Sequence, residues 1–353
     1  MADLKALRIL AAALLSSGAL AVSCPSSAAD SVEALKSREL DASYRPAAAA
    51  PAILDAGEVD TPEFQKTSLG PGLNIYFVSV FQGDAELIEL PNGKNVLIDA
   101  GPAPAPDSQY KTPIVSSFLK KHGVTKIDHM VMTHPHADHY GGMQWIFENL
   151  QVDNFYDTRV DNSDAVVDNF VREAAKKEPG CVVHYPAEGD TLNWDPSVKI
   201  KVLNACPNRG RSADHKDKGA FLNNCSIILK ISYQSSTALL MGDAQDEVEA
   251  RLVASYGKGL KADVLKVGHH GSAYSSTEAF LKKVKPKKAY IEVGKYNDYG
   301  HPTQAALGRL EAIGAEIHRT DKEGTLTYVM KPTKEAPLGG IQKLTLGPIF
   351  SAN

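Results

Sequence analysis

The chain has 353 residues, of which 43% are hydrophobic and 23% are charged, and its formal net charge is −4. This length and hydrophobic content are ample for a buried core, in one large domain or two small ones. The negative charge argues against a protein that grips long nucleic acid non-specifically, because such proteins usually present a basic face.

The first 29 residues have the pattern of a secretory signal peptide. Lys5 and Arg8 precede an apolar run at 9–22 that is too short for a comfortable membrane span, and small residues follow it. Cleavage after Ala29 is favoured over an imperfect lipobox that would leave a lipid on Cys24. We therefore expect an exported protein, periplasmic or secreted, with lipid anchoring through Cys24 as the alternative.

Composition divides the remaining chain into three parts. Residues 30–70 are rich in Ala, Pro and Ser and predict a flexible linker. Residues 71–332 alternate strand and helix patterns and predict one folded domain, and residues 333–353 are expected to form a peripheral tail. Past the signal peptide, no stretch is apolar enough to span a bilayer. Removing residues 1–29 takes away a net +1, so the mature chain carries about −5.

Three cysteines remain beyond Cys24. In an oxidising compartment they allow at most one internal disulfide, for which Cys206 and Cys225 are candidates, although nothing in the sequence fixes the pairing. Cys181 is the third, and none of the spacings is that of a zinc knuckle.

The first half of the domain begins with strands and then alternates strand and helix. Strands are predicted at 74–81, 85–90, 95–98 and 127–132, with a hairpin turn at 91–94 and helices at 112–122 and 141–150.

The second half repeats this order. Helices are predicted at 164–177, 245–256, 276–284 and 303–313, a long polar loop at 207–219, and strands at 181–185, 198–204, 225–233, 237–241, 262–267, 288–293, 316–319 and 324–330. Two such halves predict an α/β fold, a four-layer αββα sandwich whose polar motifs gather at one rim of the sheets.

The densest of those motifs is Thr133-His134-Pro135-His136-Ala137-Asp138-His139. It follows an apolar strand and precedes Gly141-Gly142. Imidazole nitrogen and carboxylate oxygen are ligands for borderline metal ions, and so many within six positions indicate a metal site rather than a polar surface loop. His134 and His136 can share one direction, whereas Asp138 and His139 follow the turn and can face a second ion.

Three further strand ends carry polar residues that match this site. They are Asp99, Asp243 and the pair His269-His270. We expect a two-metal centre in which Asp243 bridges the ions, His134 and His136 hold one, and Asp138, His139 and one of the paired histidines hold the other. A hydroxide between the ions would be the nucleophile, because bound metal lowers the pKa of water from about 15.7 to about 7.

The remaining roles follow from position. The prediction places His270 on the metal with His139, and leaves His269 to contact a leaving group or phosphate oxygen. Asp138 and His269 are thus predicted catalytic residues. His301, before Pro302, is a candidate general acid, although a turn histidine is the competing interpretation. Asp99 and Asn224 are expected to lie just behind the ligands, where Asp99 would accept a hydrogen bond that orients a ligand or its loop.

From Ile75 to Tyr328 the chain resembles the metallo-β-lactamase-like domain of ComEC-type DNA-uptake proteins and their stand-alone exported relatives. The segments that carry this resemblance are 80–84, 97–101, 134–142, 224–226, 240–243, 265–272, 300–302 and 319–321. The resemblance implies the metallo-β-lactamase fold and metal-dependent hydrolysis, with competence members proposed to act on incoming DNA.

The chain departs from that family pattern in three ways. Phe81 stands where the family usually has Gly, and the membrane helices that accompany the domain in competence proteins are not seen in this sequence. The histidine that wider superfamily members place shortly before the bridging Asp is replaced by Asn224, as in the ComEC-like relatives. His184 and His215 are candidates to substitute for it.

The favoured function is an exported hydrolase of phosphodiesters, either nucleic acid or a smaller phosphate ester. The alternatives are a lactone or β-lactam hydrolase on the same site, and a non-catalytic metal-binding envelope protein. The ligands suit two Zn²⁺, with Mn²⁺ or Fe also compatible. The basic run 282–288 reads as a solvated helix end rather than a DNA groove. Oligomeric state and substrate stay open at this stage.

Overall fold

The computed structural model describes residues 72–106, 108–162, 167–206 and 212–332. The predicted signal peptide at 1–29, linker at 30–70 and tail at 333–353 lie outside the described residues. These boundaries therefore stay predictions.

The first half of the described chain contains eight strands and four helices. In chain order they are β1 (Leu73–Phe77), β2 (Glu86–Glu89), β3 (Asn95–Ile98), α1 (Ile114–Lys121), β4 (Lys126–Ile127), β5 (His129–Val131), α2 (Ala137–Tyr140), α3 (Met143–Asn149), β6 (Gln151–Val152), β7 (Asn154–Tyr156), α4 (Val167–Lys177) and β8 (Val182–His184).

The second half follows the same plan. Its elements are β9 (Thr191–Leu192), β10 (Val198–Asn204), α5 (Lys218–Asn224), β11 (Ile228–Tyr233), β12 (Ser236–Leu240), α6 (Asp246–Tyr256), β13 (Val264–Lys266), α7 (Glu278–Val284), β14 (Lys288–Ile291), α8 (Gln304–Ala312), β15 (Glu316–Arg319), α9 (Thr320–Glu323) and β16 (Leu326–Met330). Short 3₁₀ helices lie at Ser212–Asp214, Gly257–Leu260 and Gly268–Gly271.

Within the described ranges these strands form two seven-stranded mixed sheets. The first has the order β16-β1-β2-β3-β5-β7-β8 and the second β15-β14-β13-β12-β11-β10-β9, and β4 pairs with β6 separately. Strands β3, β5, β7 and β8 run parallel in the first sheet, as do β12 to β15 in the second. The carboxyl ends of parallel strands share one edge of a sheet, so their loops can converge there.

The central core lies between the two sheets. Side chains alternate along a strand, so Ile75 and Phe77 of β1 face this core while Tyr76 faces the other way. From the second sheet, Ile231 and Leu240 belong to the same buried cluster. The inner face of each sheet is therefore apolar, which is why the sheets pack together.

Helices cover the outer face of each sheet. Leu119 of α1 and Met143 of α3 pack in one buried cluster with the outer face of the first sheet. Leu252 of α6, Phe280 of α7 and Leu310 of α8 pack on the second. Full burial of a side chain such as Phe280 contributes roughly 1.5–3 kcal/mol. The four layers are helix, sheet, sheet and helix, and the predicted αββα sandwich is confirmed.

Local structure differs from the prediction around residues 207–225. Part of the predicted polar loop forms α5, because Asp217 caps the helix by accepting a hydrogen bond from the Ala220 amide (2.9 Å). The strand predicted from Cys225 begins instead at Ile228. A disulfide joins Cys206 to Cys225, the two cysteines that the sequence offered as candidates.

The first predicted strand ends at Phe77, four residues earlier than expected, and residues 78–85 form a loop that reaches the rim. Among the described helices, we find none with the length and apolar character that crossing a membrane requires.

Candidate metal centre

Loops from both sheets meet at the rim and bring the predicted site residues together. The first sheet supplies His134 to His139 after β5, and the second supplies Asp243 after β12 and His269-His270 after β13. His134 Nε2 lies 3.8 Å from Asp243 Oδ2, although 109 positions separate the two residues in the chain. The cluster is therefore built by the packing of the two halves.

One group of metal-capable side chains consists of His134, His136 and Asp243, whose ligand atoms all lie within 4.8 Å of one another. His134 Nε2 and His136 Nδ1 approach to 3.0 Å. His134 Nδ1 lies 3.1 Å from the Thr133 hydroxyl, which leaves Nε2 directed toward Asp243.

A second group consists of Asp138, His139 and His270, again within 4.8 Å. His270 Nδ1 donates to the Glu292 carbonyl (2.8 Å), and His139 Nδ1 pairs with Asp99 Oδ2 (2.7 Å). Both contacts fix the ring so that Nε2 is presented to the group, the arrangement in which a histidine holds a metal ion well.

Asp243 lies between the groups. Its Oδ2 is 3.2 Å from His139 Nε2 and 3.5 Å from His270 Nε2, in addition to its approach to His134. This position is the one required of a carboxylate that would contact two cations. Asp84 also approaches, with Oδ2 3.8 Å from His139 Nδ1.

The buried atoms at the centre fit a pair of cations. Nε2 of His139, Nε2 of His270 and Oδ1 of Asp243 are buried without a hydrogen bond. Buried polar atoms normally have partners, because leaving one unsatisfied costs about 1–3 kcal/mol. Bound divalent cations would give these atoms partners. The two groups together offer four imidazoles and two carboxylates, a donor set that suits Zn²⁺ and also accommodates Mn²⁺ or Fe.

Protons and cations compete for these imidazoles. Burial disfavours charge on His139 and His270, but Asp243 and the neighbouring carboxylates outweigh it and raise the pKa of both rings well above the usual value. Burial, together with His139 and His136, lowers the pKa of His134. A protonated Nε2 cannot bind a cation, so metal affinity should weaken as the pH falls.

The loop that carries the paired histidines is conformationally strained. His269 and His270 have φ of 49° and 51°, a region that non-glycine residues rarely adopt. The His269 amide donates to the Gly242 carbonyl (3.1 Å), and the Ser275 hydroxyl donates to the Gly268 carbonyl (2.6 Å). These contacts hold the strained conformation, a pattern that is frequent at functional sites.

His269 and His301 border the two groups without belonging to either. His269 Nδ1 lies 3.2 Å from the side-chain amide nitrogen of Gln245, and His269 Nε2 lies 3.4 Å from the side-chain amide nitrogen of Asn223. The rings of His269 and His301 are 5.2 Å apart. Burial, followed by His269 and His270, lowers the pKa of His301 to about 3, so this ring is neutral at pH 7. A neutral ring is a weaker proton donor than the general acid that the sequence predicted.

Asp99 and Asn224 lie at different distances from the centre. Asp99 accepts hydrogen bonds from the Thr133 amide (2.8 Å) and hydroxyl (2.6 Å) and touches His139, which orients both the loop and the ring. The Asn224 side chain accepts a hydrogen bond from the Gln245 backbone amide (3.0 Å), and the Gln245 side chain contacts His269, whereas Asn223 contacts His269 directly.

Neither candidate substitute for the missing histidine belongs to the metal-capable groups found among the described residues. His184 contacts Asn154 and stacks on Tyr156, and the His215 ring stacks on Phe221 at 3.5 Å. Both suggestions are wrong, because each ring is engaged elsewhere in the fold.

Beneath the centre lies a buried charged network that sequence reasoning missed. Lys266 is fully buried, contacts the carboxylate of Asp84 and donates to the Gly242 carbonyl (3.1 Å). Asp84 Oδ1 in turn lies 3.2 Å from His270 Nδ1. Burial, followed by Asp84, raises the pKa of Glu292 to about 8, and burial with Glu292 raises that of Glu86.

A sequence signal for this network exists. Lys266 stands inside the apolar run 264–267, and Glu292 follows the apolar residues of β14. A charged residue in an otherwise apolar strand needs a buried partner or a route to water, so such positions deserve a functional hypothesis at the sequence level.

The chain is similar to known proteins over most of the described region. A sequence profile described as Metallo-beta-lactamase superfamily matches residues 78–191. The chain is 30% identical over 265 residues to ComE operon protein 3 of Bacillus subtilis (strain 168), covering 72% of this chain and 32% of that protein. It is 30% identical over 247 residues to Competence protein ComA of Neisseria gonorrhoeae, covering 70% and 31%.

The chain thus spans about a third of the length of these curated relatives. Among solved structures, its fold is similar to the metallo-beta-lactamase fold protein YhfI from Bacillus subtilis, with a TM-score of 0.48 and 12% identity. That match covers 73% of this chain and 99% of that chain. The profile match and the buried His/Asp groups support a metal-dependent hydrolase related to the competence proteins. By these matches the chain belongs to the metallo-beta-lactamase superfamily.

Proposed function

We propose that the protein hydrolyses phosphodiester bonds, in nucleic acid or in a smaller phosphate ester. The observation that carries this proposal is the pair of metal-capable groups that meet at Asp243, with the imidazoles of His269 and His301 beside them. Two-metal sites recur in phosphatases and nucleases, where they stabilise the attacking and leaving oxygens of an in-line displacement. When bound, the cations would neutralise phosphoryl charge and lower the pKa of the attacking water.

The protein's own residues hold this centre in one geometry. Asp99 orients His139 through Nδ1, and the Glu292 carbonyl orients His270 in the same way. His269 lies between Gln245 and Asn223, which places its ring at the border of the two groups. We assign His269 and neutral His301 to hydrogen bonding with phosphate oxygens, because an imidazole N–H can donate to an anionic oxygen without carrying a charge.

Export is part of the proposal. The pattern of residues 1–29 supports it, and so does the Cys206–Cys225 disulfide, because disulfides persist mainly in oxidising compartments. The basic run does not support a long DNA groove. Lys282 pairs with Glu278, Lys287 with Asp263 (2.9 Å) and Lys288 with Glu316 (2.9 Å). Short or single-stranded substrates therefore suit this surface better than long duplex DNA.

The test is a substrate panel on the chain from residue 30, loaded in turn with Zn²⁺, Mn²⁺ and Fe²⁺. Bis-p-nitrophenyl phosphate and DNA report phosphodiester cleavage, and nitrocefin reports the carbonyl alternative. We expect turnover of the phosphodiesters. Turnover of nitrocefin alone would favour a lactone or β-lactam hydrolase instead. Bound metal without turnover of any substrate would favour a non-catalytic metal-binding protein.

Asp243→Ala tests the centre itself. Removing the carboxylate shared by both groups should lose at least one equivalent of metal and lower turnover by more than about 100-fold, since outer partners alone often account for 10–100-fold. Glu148→Ala is the control, because it removes an exposed carboxylate from α3. Unchanged metal content and rate in Asp243→Ala would remove Asp243 from the site.

A further inference from the structure

Exposed aromatic side chains are concentrated on the loops around the candidate metal centre. Four of the seven large apolar side chains that are exposed among the described residues lie there: Phe81, Tyr110, Tyr296 and Tyr299, with 50%, 40%, 78% and 45% of their surface accessible. The rings of Phe81 and Tyr110 contact each other, with centroids 5.6 Å apart.

Phe81 has a backbone conformation that folding alone does not explain. Its φ is 69°, in the left-handed region that favours glycine and is a clear outlier for a bulky residue. Half of the surface of Phe81 is accessible, so burial does not offset the strain. A strained residue of this kind, held next to a candidate active site, points to a function for its side chain.

The loop of Phe81 lies directly against the metal-capable groups. A side-chain carbon at Gly83 would stand 2.2 Å from the Asp138 carbonyl oxygen, so the two backbones are in contact, and the Asp84 amide donates to that same oxygen (3.3 Å). Phe81 is thus anchored two residues from a backbone contact with Asp138. The Phe81–Tyr110 pair is one flank of the site.

The second flank is the loop 294–301. The Gly294 amide donates to the side chain of Gln82 (3.1 Å), which joins this loop to that of Phe81. The Tyr299 ring stacks on His301 with centroids 5.7 Å apart, and His301 contacts His269. The aromatic residues therefore border the centre on two adjoining loops.

We propose that these aromatic residues form a subsite that stacks unpaired nucleobases next to the scissile phosphodiester. The inference rests on the proposed phosphodiesterase function and narrows it to single-stranded nucleic acid. Every base has a face that stacks on an aromatic ring, whereas bases in a duplex are already stacked on each other. Lys111 follows Tyr110, and Lys295 lies 5.3 Å from the Tyr296 ring, so cations accompany the rings as phosphate binding requires.

The test measures binding separately from cleavage. A fluorescein-labelled ten-nucleotide dT strand is compared by anisotropy with the same backbone carrying abasic sites, in EDTA to prevent turnover. We expect the wild type to bind the base-bearing strand about tenfold more tightly. Equal affinity for the two strands would overturn the inference. So would equally tight binding of the dT strand after it is annealed to its dA complement.

Phe81→Gly gives the sharpest variant. It should lose most of the base preference and yet raise Tm, because glycine adopts this φ without strain. Phe81→Trp should retain the preference, and Phe170→Ala, which removes an exposed ring from α4, should leave it unchanged. A preference that survives in Phe81→Gly and in Tyr110→Ala would overturn the assignment of these rings.

The two proposals fail separately. If bis-p-nitrophenyl phosphate is hydrolysed but abasic and base-bearing strands bind alike, the aromatic subsite is wrong and the phosphodiesterase stands. If no phosphodiester is cleaved by the metal-loaded protein, the proposed function fails, and the subsite falls with it as part of an active site.

Discussion

The buried pair of Lys266 and Asp84 allows a sharp prediction about what holds the two sheets together at the rim. Lys266 extends from β13 of the second sheet and Asp84 from the loop before β2 of the first, and both side chains are fully buried. Lys266→Met keeps the length and apolar stem of the side chain but removes its charge. Asp84 would then lie beside Glu86 and Glu292 without Lys266, and the His270 imidazole (Oδ1 to Nδ1 3.2 Å) would remain as its partner.

The expected loss of stability is large. Breaking a buried ion pair by removing one partner costs roughly 3–5 kcal/mol, because the remaining buried charge loses its main counter-charge. For a domain of this size, each 1 kcal/mol lowers Tm by about 2–4 °C. We therefore expect Tm to fall by about 6–20 °C. Removing both charges in Lys266→Met with Asp84→Asn should recover most of the loss.

Urea unfolding gives the free energy and thermal unfolding gives Tm, both followed by circular dichroism in EDTA, since bound cations would add their own stabilisation. Lys283→Met is the control, because Lys283 is exposed on α7 and its charge is solvated; we expect a change within about 0.5 kcal/mol. A loss below about 1 kcal/mol in Lys266→Met, or a double variant no more stable than the single one, would refute the reasoning.

Three further predictions concern other parts of the fold. Burial raises the pKa of Glu249 to about 7 from its usual 4.5, so the native protein binds more protons than the unfolded chain between these values. Its stabilising contribution is therefore present below pH 4.5 and lost as the pH rises through 7, by about 3 kcal/mol. The free energy of unfolding should fall between pH 5 and pH 8 in the wild type, and by less in Glu249→Gln. An equal fall in the two proteins would contradict the burial argument. Replacing both Cys206 and Cys225 by Ser should lower stability under oxidising conditions by about 3 kcal/mol, given the 19-residue separation, and have no effect relative to the reduced wild type. Lys282→Ala with Lys287→Ala should leave oligonucleotide affinity unchanged, because both lysines are paired on the surface; a marked loss of affinity in an anisotropy titration would make the basic run a binding groove after all.

Periodicity in the sequence was sufficient for the layers of the fold. Alternating apolar residues such as Ile75 and Phe77 predict strands, and the 3.6-residue spacing in α1 predicts a helix that buries Leu119. Periodicity was not sufficient for α5, where a run of polar residues reads as a loop. The Asp217 cap and packing of Leu222 against the disulfide made this segment a helix. Such tertiary contacts leave little trace in local composition.

The sequence by itself determined the chemistry of the site, because the ligand types and their places at strand ends are local properties. The residues His134 to His139 predict a metal site before any fold is known, and the strand-end position of Asp243 adds it to that prediction.

Only the tertiary structure decided which residues meet. It brought His270, rather than its neighbour His269, into the group with Asp138 and His139. It also paired Lys266 with Asp84 across 182 positions and set Phe81 at the rim. The physical reason is that distances between residues far apart in the chain are fixed by how the two sheets pack, and a pattern read along one strand contains no information about the strand that faces it.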